Sequence, residues 1–205
     1  EAFPTFDRDL PRMRANYLGM LRLIDDQVAR FLDFLDTSGL RSNTLVVFLS
    51  DHGDYVGEYG MARKGAEMPE ALMRVPMIWN GPGVAAGAAP HPAHVSLADV
   101  LPTLCEALGV PIPAGVQGRS LWPLLTGRDY PAAEFESVYA EQGFGGLHYG
   151  AGDEGRTDLA DPLKDGLTPG KAYDCLNSRT QSGSMRMLRK GDWKIVFDMM
   201  GRGQL

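Results

Sequence analysis

The sequence predicts an α/β fold, and two observations carry that expectation. A long amphipathic helical stretch is followed by a short, continuously apolar run, and a second helical stretch comes further on. The apolar run, Thr44-Leu45-Val46-Val47-Phe48-Leu49, breaks off in the polar turn Ser50-Asp51-His52-Gly53-Asp54. Strand ends of this kind are where open α/β sheets hold ligands. Composition agrees: 205 residues, 44% hydrophobic and 22% charged, suit one ordinary domain or a domain with a small appendage.

The elements follow in chain order. Residues 1–16 are rich in Pro and Arg without a sustained period and read as an entry loop. From Ala15 to Ser38, Leu21, Ile24, Val28, Phe31 and Leu35 recur at helical spacing and form one apolar face. Arg22, Asp26 and Arg30 lie four apart on another face, and Gly39 supplies a left-handed cap. Thr44–Leu49, apolar throughout, reads as a strand of a parallel sheet covered on both faces. A second strand is expected at Val75–Trp79, and a helix at Ser96–Leu108. That helix is capped by Ser96 with Asp99, striped by Leu97, Leu101, Leu104 and Leu108, and kinked at Pro102. Beyond Pro111 come looping segments, an apolar patch at Leu121–Leu125 and a strand at Ser137–Ala140. A long Gly-, Asp- and Ser-rich excursion over residues 143–184 precedes a hairpin of Met185–Leu188 and Trp193–Phe197, with Trp193, Ile195 and Phe197 on its buried side. The boundary falls near residue 130, giving domains 1–130 and 131–205.

Several function classes are excluded at this level. A net charge of −6 opposes an electrostatic grip on nucleic acid. No apolar run approaches the ~18–20 residues that span a bilayer. Two cysteines, Cys105 and Cys175, make no disulfide framework and lack metal-site spacing; Cys105 reads as a packed core thiol. Low cysteine use points to the cytoplasm. The chain opens without Met and closes just past an apolar strand, so both ends read as internal, and a periplasmic or secreted location stays open.

Chemistry concentrates in residues 50–65. Asp51 and His52 together can give a divalent cation two ligands, and Lys64, twelve residues past His52, is a point charge suited to an anion. An Asp-His-Gly run is also an ordinary turn, and the residues alone leave both readings open. His91 and His94 lie among prolines in a loop that does not favour shared ligation. His148, amid glycines, reads as a flexible loop or a substrate-pocket residue. Asp25 and Asp26 read as surface charges of the helix, and Arg186, Arg189, Lys190 and Lys194 as the solvated side of the hairpin.

Taken in order, Leu23–Val28, Ser38–Leu40, Asn43–Gly53, Arg74–Ile78, Asp99–Leu104, Gln117–Leu121 and Arg189–Lys194 closely resemble the type I sulfatases of the alkaline phosphatase superfamily. The resemblance runs from about Tyr17 to Leu205. It implies an alkaline-phosphatase-like mixed sheet flanked by helices, with a small C-terminal antiparallel subdomain. It implies that Asp51 and His52 are metal ligands, to Ca²⁺ first, with Mn²⁺ or Mg²⁺ as alternatives. It implies that Lys64 is a catalytic, sulfate-contacting residue, with His148 as a further substrate contact. The substrate would be a small-molecule or saccharide sulfate ester. The family's formylglycine nucleophile, made from a Cys/Ser-x-Pro-x-Arg motif, is not read in this chain and is expected outside it. Cys175-Leu176-Asn177-Ser178-Arg179 mimics that motif, but Asn177 stands for Pro and the position is too late. A phosphonate or phosphodiester hydrolase of the same superfamily is the first alternative. The second is an inactive relative acting at most as a binding module, and the 205 residues alone are expected to lack hydrolase activity.

Overall fold

The computed structural model describes residues 6–64, 68–86, 89–143, 184–198 and 203–204. They form a mixed α/β structure with antiparallel sheets. Two compact units alternate along the chain: residues 1–64, 69–88 and 123–128 make the first, and residues 65–68, 89–122 and 129–205 the second.

The first unit begins with α1 (Phe6–Thr37). The expected entry loop is therefore helical from Phe6. Asp7 and Asp9 lie at the positive end of the helix dipole, which favours this extension, while Pro11 inside the helix forfeits one backbone bond. The far end closes as expected. Gly39 turns left-handed at φ 72°, and the Leu40 N–H reaches the Leu35 carbonyl at 3.0 Å. Leu21, Ile24 and Phe31 do share a face, but no residue of α1 is buried among the described residues.

Next come β1 (Val46–Leu49), the short β2 (Tyr55–Val56) and β3 (Ala62–Arg63), the one-turn helix α2 (Glu70–Met73), and β4 (Met77–Asn80). β1 pairs with β4 in antiparallel register, Val46 opposite Asn80 and Leu49 opposite Met77. This corrects the parallel expectation for Thr44–Leu49, because an all-apolar run registers burial and carries no information about a neighbour's direction. The pair is also less covered than predicted, with Phe48 and Leu49 part-exposed.

In the second unit a 3₁₀ turn, Leu97–Asp99, leads into α3 (Val100–Leu108). Pro102 lies in the first turn of α3, where a missing N–H costs little, and the helix continues through it to Leu108. The Ser96–Asp99 capping box is present, but the leucine stripe is not the buried face. Leu101 and Leu108 are exposed, while Asp99, Pro102, Thr103 and Cys105 are buried.

The reason is a polar clamp. One Asp99 carboxylate oxygen accepts the Ser96 N–H at 2.8 Å and the other accepts the Arg119 N–H at 2.7 Å. The Thr103 hydroxyl donates to the Asp99 carbonyl and accepts the Leu121 N–H at 2.8 Å. A Cβ at Gly118 would lie 1.9 Å from the Ala98 carbonyl oxygen, so only glycine lets the returning loop come this close. Arg119 stacks over Phe135 at 4.6 Å. Buried polar groups demand partners, and satisfying them turns this face of α3 inward ahead of the leucines.

The apolar patch at Leu121–Leu125 folds as α4 (Trp122–Thr126), whose Leu125 carbonyl takes the Ala85 N–H at 2.7 Å within the first unit. In the second unit, β5 (Ser137–Gly143), β6 (Ser184–Lys190), β7 (Trp193–Asp198) and β8 (Gly203–Gln204) form a four-stranded antiparallel sheet in that order. The hairpin appears where predicted, with Leu188 opposite Ile195. Its buried side is the other one. Met187 is buried, whereas Trp193, Ile195 and Phe197 are exposed. Period-two alternation separates the two faces without saying which meets the core.

Candidate active site

Every group of the site belongs to the first unit and hangs from the end of β1. Past Leu49 the chain turns through Ser50, whose hydroxyl donates to the His52 carbonyl at 2.7 Å. The turn is docked on α2. The Gly53 N–H reaches the Leu72 carbonyl at 2.8 Å, and a Cβ at Gly53 would lie 1.9 Å from the Ala71 carbonyl oxygen. Glycine is required here for close approach. Leu72, nearly fully buried, anchors the other side of this contact. Sequence reasoning missed α2 as a support of the site. The available signal was Glu70-Ala71-Leu72-Met73, four good helix formers directly after a proline.

Asp51 is exposed and its carboxylate accepts the His52 backbone N–H at 2.9 Å. That bond, aided by the Lys64 ammonium, holds its carboxyl below the ordinary value of 3.8. His52 Nδ1 lies 2.9 Å from the Gly53 carbonyl oxygen. A carbonyl can only accept, so Nδ1 carries the proton and the Nε2 lone pair points outward. Nε2 lies 3.1 Å from Lys64 Nζ and 3.6 Å from Asp51 Oδ2.

Lys64 returns to this point because the chain between it and His52 makes a hairpin. Tyr55 pairs with Arg63 and Val56 with Ala62. The hairpin is tied to α1 by Arg14, whose Nε donates to the Val56 carbonyl at 2.9 Å. It is closed at its tip by Glu58, which accepts the Val56 N–H at 2.6 Å and is thereby held below its ordinary carboxyl value. Tyr59 at the tip adopts φ 56°, an uncommon conformation for a residue with a side chain, and packs edge-on against Tyr55. Sequence reading treated this stretch as a Gly-rich loop. Two-residue strands are too short to show a period.

The Asp51–His52 pair suits a divalent cation. Two ligands at about 2.1–2.5 Å from one ion and at right angles to each other lie about 3–3.5 Å apart, close to the separation of Nε2 and Oδ2. Among the described residues no group of three or more His, Cys, Asp or Glu side chains converges. His91 and His94 do not converge: the His91 ring accepts the Ala93 N–H at 3.2 Å and packs edge-on against Tyr130. Asp26 pairs with Arg22 at 3.0 Å on the exposed surface of α1. Cys105 is a buried free thiol. His148 and Cys175–Arg179 lie outside the described residues. No helix among the described residues is long and apolar enough to cross a membrane.

This architecture is that of the alkaline-phosphatase-like hydrolases. The chain superposes on the crystal structure of the phosphonate monoester hydrolase of Agrobacterium radiobacter with a TM-score of 0.72 and 26% identity, covering 95% of this chain and 34% of that one. The sulfatase family model matches residues 1–110, and the chain belongs to the sulfatase family. It is 34% identical over 139 residues to an arylsulfatase of Clostridium perfringens, covering 66% of this chain and 28% of that protein. It is 33% identical over 128 residues to a choline-sulfatase of Rhizobium meliloti, covering 61% and 24%. The chain thus spans about a quarter of the length of these curated relatives.

Proposed function

We propose that the protein hydrolyses a sulfate ester, with Asp51 and His52 holding a divalent cation and Lys64 contacting the sulfate oxygens. The observation that carries this reading is the meeting of a carboxylate, an outward-facing imidazole lone pair and an ammonium within 3.6 Å at the end of β1, in a chain of the sulfatase family. Asp51 is kept ionised by its backbone hydrogen bond, and His52 is kept in its Nδ1–H tautomer by the Gly53 carbonyl. Both donors thus sit in one turn, with Nε2 as the metal-facing nitrogen of His52. Ca²⁺ and Mg²⁺ suit the carboxylate, and the imidazole, a borderline ligand, also admits Mn²⁺. A bound cation supplies Lewis-acid polarisation of the substrate oxygens. Lys64 offsets the negative charge that develops on the ester, a stabilisation fixed in place by the β2–β3 hairpin.

The test is Asp51→Ala in the full-length protein. Calcium affinity should fall at least about tenfold, since loss of even an outer-shell partner costs about 10–100-fold, and aryl sulfate turnover should fall with it. Unchanged affinity and turnover would refute the assignment.

A second reading, hydrolysis of a phosphonate monoester or phosphodiester, is favoured by the likeness to phosphonate monoester hydrolases. Relative turnover of an aryl sulfate and an aryl phosphonate monoester separates the two.

A further inference from the structure

We infer that Lys64 and the divalent cation compete for one lone pair on His52, so that cation binding releases Lys64 to meet the anionic substrate. The inference rests on the reading of Asp51 and His52 as cation ligands.

An imidazole has two nitrogens. Nδ1 is committed as a donor to the Gly53 carbonyl at 2.9 Å, which leaves Nε2 with a single acceptor site. Lys64 Nζ lies 3.1 Å from that nitrogen, and an ammonium can only donate. The Asp51 carboxylate lies 3.6 Å from the same nitrogen. The Lys64 ammonium therefore occupies the position of a cation ligated by Nε2, and one lone pair serves one partner at a time. A metal ion taking Nε2 must break the Lys64–His52 bond, and the freed ammonium, carried on a four-carbon stem at the exposed end of the hairpin, then becomes a donor without an acceptor. The partner it wants is an anion.

Two consequences follow by linkage. Cation affinity includes the cost of displacing Lys64, so deleting the ammonium raises it. Anion affinity is raised by the cation in part through Lys64, so deleting the ammonium shrinks that coupling. Metal would thus load before the sulfate ester. The coupling requires neither a moving domain nor a second site, since the hairpin ties of Arg14 and Glu58 keep Lys64 within reach in both states.

The experiment uses the full-length protein, wild type and Lys64→Met, a substitution at an exposed position that leaves the hairpin bonds intact. Calcium is titrated calorimetrically with and without inorganic sulfate, at low and high KCl, and the His52 ¹⁵Nε2 resonance is recorded without added metal. The expected results are calcium binding about 3- to 10-fold tighter in Lys64→Met, the worth of one ordinary hydrogen bond at an exposed site. The gain should persist at high salt, where simple repulsion between the lysine and the ion is screened. Sulfate should tighten calcium binding in the wild type more than in the variant, and the ¹⁵Nε2 resonance should move on substitution. Equal calcium affinities in the two proteins, a gain that vanishes at high salt, or an unmoved resonance would overturn the inference while leaving the ligand assignment intact. Calcium binding that Asp51→Ala leaves unchanged would remove the ligand assignment, and this inference with it.

Discussion

Thr103→Val tests the clamp that shapes the second unit. The substitution keeps side-chain shape and removes one hydroxyl from a residue with no exposed surface. That hydroxyl is the acceptor of the Leu121 N–H at 2.8 Å and a donor to the Asp99 carbonyl. Valine leaves the buried Leu121 N–H without this partner, a desolvation cost of about 1–3 kcal/mol. The new methyl recovers under about 1 kcal/mol of that. A net loss of about 1–2 kcal/mol lowers Tm by about 2–8 °C for a protein of this size class. Thr103→Ser is the control: it keeps the hydroxyl and gives up a methyl worth about 0.8 kcal/mol. Urea denaturation gives the overall loss, and native-state amide exchange localises it. The Leu121 amide should lose protection in Thr103→Val and keep it in Thr103→Ser. A Thr103→Val protein within about 0.5 kcal/mol of wild type, with Leu121 protection unchanged, would refute the clamp.

Two further outcomes are expected. Gly53→Ala forces a methyl against the Ala71 backbone carbonyl, which cannot rotate away. It should cost about 1–3 kcal/mol in urea denaturation and weaken calcium binding, and a variant equal to wild type in both would show that the turn is not seated on α2 as described. Glu58 has a carboxyl held below 4.5 by the Val56 N–H. Its contribution to closing the hairpin is therefore fully present above its unfolded value and is lost as pH falls through the lower folded value. The Val56 amide proton shift should titrate with a midpoint below 4.5 and become pH-independent in Glu58→Gln; a midpoint at or above that value contradicts the bond.

What could be read from the sequence divides along a physical line. Local signals were legible: the apolar period of α1, its Gly39 cap, the Ser96–Asp99 box and the Met185–Phe197 hairpin each depend on residues close in the chain. The position of Asp51 and His52 at a strand end was legible for the same reason. What failed needed knowledge of distant partners. β1 was taken as parallel because its composition cannot encode the direction of β4. The leucines of α3 were taken as its buried face because hydrophobicity outranks polarity in any period count, while Arg119 and Leu121 turn a polar face inward. Lys64 was grouped with His52 from its charge and spacing and from the resemblance, but the hairpin that brings it back was not, since two-residue strands leave no trace in composition.

The clamp has a consequence for how this chain tolerates change in length. Thr103 and Leu121 are joined whatever the route of the backbone between them, and residues 111–115 of that route are exposed. Doubling a loop adds only about 0.6 kcal/mol of closure entropy, less than a typical buried hydrogen bond contributes. The stretch is thus a natural insertion point, where a lengthened excursion or a grafted peptide would be carried by the scaffold without disturbing the anchors on either side.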